Sequence, residues 1–150
     1  MAFSDLRAGL ALRLRTIPGI GVVNDWEPYA TREEDFATFF VSEGLLLGWT
    51  ICRESTHEGH ITRALHAADH LFVIRGYRAV DNDAQSEKGF QDLVELARAA
   101  LRIEQDPGFH LGGAAVKVDH PQLRIVEPRL FGGVLVHYAE IAIIIEEALP

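Results

Sequence analysis

The spacing of apolar residues changes along this chain, and each change marks a new structural element. Leu6, Leu10, Leu14 and Ile17 recur every third or fourth position, the period of one helix face, until Pro18 and Gly19 stop the pattern. This predicts a first helix with Ser4 as its N-cap, ending near Thr16. "GIGVVNDW" (Gly19 to Trp26) then predicts a short strand, "EPYATREED" a charged turn, and "FATFFVS" from Phe36 a second strand. "EGLLLGWTICRE" continues as a third strand. "STHEGH" predicts a chain reversal into "ITRALHAADHLFVIRGYRAV", so this part of the chain is expected to be a meander.

From Gln85 to Ile103 the period returns to that of a helix, with Phe90, Leu93, Val94, Ala97, Ala100 and Leu101 on one face. Asp81 and Asp83 lie just ahead of it, where carboxylates can take up free amides and favour the positive end of the helix dipole. "EQDPGFHLGG" predicts a loop, and residues 114–150 two or three more strands rich in Val and Ile. In the last of these, Leu135, Ala139, Ile141, Ile143 and Ile145 share one face, with Glu140 and Glu146 on the other. Helix, strands, helix, strands implies an α+β fold: a mostly antiparallel β-sheet with two principal helices packed on one face, in a single domain spanning residues 1–150.

Composition adds that this domain has apolar surface to spare. With glycine counted and tyrosine left out, about 55% of the chain is apolar, against roughly 45–50% for typical soluble domains. The surplus points to a thick core, a face that meets other subunits, or both. A net charge of -8 would repel a nucleic-acid backbone. The run Gly44 to Cys52 is too short for a membrane span, and the start of the chain lacks the apolar core of a signal peptide. The lone Cys52 has no disulfide partner within the chain.

The seven histidines raise a metal-dependent hydrolase as one reading, through His57 and His60 or His66 and His70. An i, i+4 pair holds zinc only on a helix; on a strand His66 and His70 stand about 13 Å apart. Exposed turn or strand histidines are therefore expected, with no metal site. Cys52 fits a small buried strand residue better than a nucleophile, "PGIGVV" lacks the context of a phosphate loop, and "FGGV" (Phe131 to Val134) fits a hairpin or bulge. Glu33, Glu34 and Asp35 fit a solvated turn. No catalytic residue and no cofactor is expected. On the strand "LFVIRGYRAV", Arg75 shares a face with Leu71, Val73 and Tyr77, while Arg78 lies on the other with Phe72 and Ile74. Each arginine can bind an acidic group, either in its own subunit or in a neighbour, and both are candidate subunit-interface residues.

The order of elements resembles that of the tail terminator (tail completion) proteins of long-tailed bacteriophages, including the lambda-type terminator. The matching features are the amphipathic N-terminal helix, the strand and acidic turn "NDWEPYATREEDFATFFVSEG", the strand into helix "HLFVIRGYRAVDNDAQSEKGFQDLVELARAAL", and the closing strands "LRIVEPRLFGGVLVHYAEIAIIIEEAL". The chain departs from the lambda-type pattern in a longer meander, Leu45 to Ala68, and in the loop from Glu104 to His120. The resemblance implies a non-enzymatic virion protein, assembled in the host cytoplasm. It would form a homo-hexameric ring on the finished tail tube, stop polymerisation and present a head-joining surface. The implied partners are further copies of itself, the tube protein and a head-tail connector, with DNA passing through the channel without specific binding and no membrane contact. A neck connector of similar size is the nearest alternative.

Overall fold

The structure, a computed structural model, describes residues 2–28, 40–42, 44–131 and 133–149. Helix α1 (Ala2–Arg15) leads into strand β1 (Val22–Asn24), the two-residue β2 (Val41–Ser42), and the long strands β3 (Leu45–His60) and β4 (His66–Ala79). Helix α2 (Ser86–Leu101) and the single turn α3 (Pro107–His110) precede β5 (Ala115–Val118), β6 (Gln122–Phe131) and β7 (Val134–Leu149). The strands form one seven-stranded sheet in the order β1-β3-β4-β7-β5, with β2 beside β3 and β6 beside β7. Only the β1–β3 pairing among the described strands is parallel.

Strand alternation sorts the sheet into two unlike faces. Trp49 and Ile51 of β3, Phe72 and Ile74 of β4, and Ala139, Ile141, Ile143 and Ile145 of β7 join one cluster with Leu6, Leu10 and Leu14 of α1 and Phe90, Val94, Ala97 and Leu101 of α2. Both helices therefore cover this face, and the α+β expectation holds. Close approach here requires Gly76: a Cβ on it would run into the Trp49 ring. That ring stacks on Phe90 at 5.9 Å and donates its buried N–H to the Ile20 carbonyl at 2.8 Å. The opposite face has its own cluster at one end, Phe40, Leu46, Tyr77, Val136 and Tyr138, where the helical residue Phe40 packs against Gly48 and Tyr77. Helices α1 and α2 both lie on the other side.

Several sequence expectations need correction. Ser4 lies inside α1 rather than capping it, because the helix starts early enough to stack Phe3 on Phe72 at 5.5 Å. Phe40 is helical, and the second strand shrinks to Val41–Ser42; the rest of the expected strand from Phe36, and the turn carrying Glu33, Glu34 and Asp35, lie outside the described residues. Asp81 accepts the Ala84 amide at 3.2 Å in the turn ahead of α2, whose own N-cap, Gln85, makes no side-chain cap bond. The "EQDPGFHLGG" loop contains α3, capped by Asp106.

The largest correction concerns "STHEGH". These residues do not turn; they extend β3 to His60, and the reversal comes at Ile61–Leu65, where the Thr62 hydroxyl accepts the Ala64 and Leu65 amides. From Arg53 to His66 every residue is exposed. The segment, here called the arm, is polar because this end of β3 is exposed on both faces, and an uncovered strand has the same composition as a turn. "FGGV" does form a hairpin, with Phe131 paired to Val134 and Gly133 at φ 82°.

Candidate functional site

The face opposite α1 and α2 gathers most of the polar chemistry. At its centre Arg75 is held within its own subunit: Nη1 reaches Glu27 Oε2 at 3.3 Å and Cys52 Sγ at 2.9 Å, and Nε lies 3.5 Å from Glu140 Oε1. Thr50 donates to the same Glu27 oxygen at 2.8 Å. Strand register produces this cluster, since Thr50, Arg75 and Glu140 are consecutive partners across β3, β4 and β7. Burial opposes the guanidinium charge, but the negative groups around it outweigh that effect and raise its pKa. Cys52 is half-buried, not fully buried as expected from sequence, and burial raises its thiol pKa despite the neighbouring Arg75. Tyr138 is pushed up to about 12 by burial and by Glu140, and Tyr77 is raised further, again mainly by burial.

Arg78 lies on the helix-covered face, close to Gly89 of α2. The two arginines are thus not brought together, and the carboxylates Arg75 meets belong to its own chain.

The histidines also separate. His57 lies on the face with Arg75, while His60 and His66 pair across the arm with ring centroids 4.5 Å apart. His70 is buried, contrary to the expectation of an exposed histidine. Its Nε2 is 2.7 Å from Glu147 Oε2 and its Nδ1 2.9 Å from the Thr56 hydroxyl. With the carboxylate as acceptor, Nε2 carries a proton and donates to Glu147. Phe3 and Phe72 pack around the ring, which fixes it between helix and sheet. Among the described residues, no group of three or more His, Cys, Asp or Glu could hold a metal ion. No described helix is long and apolar enough to cross a membrane.

Beyond Arg75 toward the arm, the same face is hollowed by two adjoining grooves of about 280 and 630 Å³, which share Leu71, Asp119 and Ile144. Leu71 and Ile144 are cross-strand partners and, with Ala142, form the apolar floor. The next row toward the arm runs His57, Asp69, Glu146, Lys117 across four strands. Asp69 and Glu146 are directly opposed, an arrangement that destabilises a sheet by itself. Lys117, opposite Glu146 in this row, makes its ion pair with Asp119 at 3.6 Å, and Arg124 makes its own with Glu54 at 2.9 Å. Nothing in the sequence signals this juxtaposition, because Asp69 and Glu146 become neighbours only through the β4–β7 register.

No protein-family model matches the chain, and no curated protein matches it.

Proposed function

We propose that this chain is a structural component of a phage tail, a terminator whose copies close into a hexameric ring on the finished tube. The observation that carries the reading is the β3–β4 arm, in which every residue from Arg53 to His66 is exposed and the tip presents Ile61 and Leu65. An exposed strand edge ending in an apolar tip is surface that a monomer has no use for, whereas a subunit that must clasp neighbours gains contact area from it. The acidic balance suits a channel that DNA has to traverse without being held. The protein's outer face would meet the head-tail connector and its inner face the tube protein.

A tube grows because each added ring exposes the surface that recruits the next, a heterologous contact with no stopping point of its own. A terminator binds that end and presents a different face. A phage lacking this protein should therefore yield filled heads beside free tails, many of them overlong. Electron micrographs of the lysate decide the matter: normal tails joined to heads would refute the proposal, and free tails of normal length would move the assignment to a neck connector.

A further inference from the structure

Two features of one subunit complement each other and cannot meet within it. The arm tip offers two aliphatic side chains, Ile61 and Leu65, which are 42% and 38% exposed. They are held side by side by the Ile61 N–H donating to the Leu65 carbonyl at 2.8 Å. Between them lies exposed Arg63, a cation. The groove offers the converse: an apolar floor with Ile144 40% exposed, and beside it the opposed carboxylates Asp69 and Glu146. Ile61 and Leu65 stand four positions along the strands from His57 and Asp69 of the groove, roughly 13 Å at 3.3 Å per residue, and the β3–β4 pairing that runs to His60 and His66 keeps the tip from folding back into it.

We propose that the arm tip of one copy docks in the groove of the next, with Ile61 and Leu65 on the Leu71–Ile144 floor and Arg63 between Asp69 and Glu146. The occupant is a second copy of this chain, chosen by charge complementarity. The nearby cations Lys117 and Arg124 make their ion pairs with Asp119 and Glu54 rather than with the like-charged pair, and the tip carries a cation flanked by the apolar groups that the floor would cover. The contact is heterologous, tip to groove, so successive copies join head to tail, and a closing rotation makes a ring. This inference rests on the ring reading above and specifies its contact.

A charge swap in the full-length protein tests it, with self-association followed by sedimentation across concentration. Arg63→Glu brings a carboxylate to an acidic groove, and the double variant Asp69→Lys with Glu146→Lys presents a basic groove to Arg63. Each alone should weaken association roughly tenfold or more. Mixed in equal amounts, the two variants offer complementary contacts, the acidic tip of the first in the basic groove of the second and the unaltered tip of the second in the unaltered groove of the first. Association should then return to near the wild-type level. Recovery on mixing also excludes misfolding as the cause of the single losses. If either variant associates like the wild type, or if the mixture fails to recover, the docking is wrong while the ring reading stands. A wild-type chain that stays monomeric at millimolar concentration overturns the docking, and overlong tails in the deletion phage would then show that the terminator reading survives without it.

Discussion

Glu54 and Arg124 are each the extra residue of a β-bulge, one on β3 and one on β6, and their side chains meet at 2.9 Å across the open face. Their strands are separated by β4 and β7, about 14 Å in a flat sheet. Side chains standing upright on a flat sheet would not meet over that span. Bulges raise local twist and bend their strands, so the paired bulges curl the sheet, hollow the groove and make its floor concave.

The side chains of this pair should matter little and the bulge more. Both side chains are partly solvated, at 41% and 38% exposure, so Glu54→Ala should cost less than about 1 kcal/mol in denaturant unfolding. Deleting residue 54 is different. It closes the bulge, so that Arg53 and Ser55 become consecutive partners of Phe72 and Leu71; the pairing on both sides is kept, with Trp49 and Ile51 still toward the helices, and the local bend is lost. The deletion variant should still unfold cooperatively, at a cost of about 1–3 kcal/mol in denaturant unfolding, and a variant as stable as the wild type would show that the bend contributes nothing to stability.

In the core, Phe90→Ala should cost about 3–5 kcal/mol, because the ring is buried against Trp49 and its removal leaves a cavity. Gly76→Ala tests the same contact from the sheet side. The added methyl collides with Trp49, and overpacking of this kind costs about 1–3 kcal/mol. Chemical denaturation of both variants checks the pair; a loss below about 1 kcal/mol for Phe90→Ala would remove it from the core.

Much of this architecture is legible in the sequence, and the failures have a common cause. The period of α2 survives because that helix buries a single face, so Val94 and Leu101 lie in the core where their spacing puts them; in β7 Ile141 and Ile145 also reach the core, but Val136, Tyr138, Glu140 and Ala142 on the other face are buried too and Leu135 is exposed. The arm reads as a turn because neither of its faces is buried, which erases the alternation that identifies a strand. The bulges at Glu54 and Arg124 each add only one residue, too small a break in "CRES" or "QLRI" to stand out. The features of the open face depend on register between distant strands. Arg75 stands out by its charge, but that Glu27 and Glu140 close around it follows from the way the sheet brings distant parts of the chain together.

His70 and Glu147 illustrate the same limit and yield a third prediction. They are 77 positions apart in the chain, yet bonded at 2.7 Å and both buried. Removing only one partner leaves the other desolvated without its bond, so His70→Leu and Glu147→Leu should each cost about 3–5 kcal/mol. The double substitution removes both polar groups from an already apolar setting beside Phe3 and Phe72, and it should recover much of that loss. Thermal unfolding of the double-mutant cycle gives the answer; additive single losses would mean that the two groups are not coupled.

The open-face tyrosines predict how stability responds to alkali. An unfolded tyrosine ionises near pH 10, whereas Tyr138 in the folded protein is pushed up to about 12, first by burial and then by Glu140. Between those values the unfolded chain has released the proton and the folded chain still holds it, so raising the pH favours unfolding. The contribution is fully present below about pH 10 and is lost as the pH rises toward about 12. Tyr77 shifts in the same direction and extends the fall beyond that point. Denaturant midpoints measured from about pH 8 to 12 should therefore be flat at first and then drop above about pH 10. Tyr138→Phe, which keeps the ring under Arg129 at 4.2 Å but has no proton to lose, should flatten the drop. If that variant kept the full alkaline slope, Tyr138 would be excluded as its source.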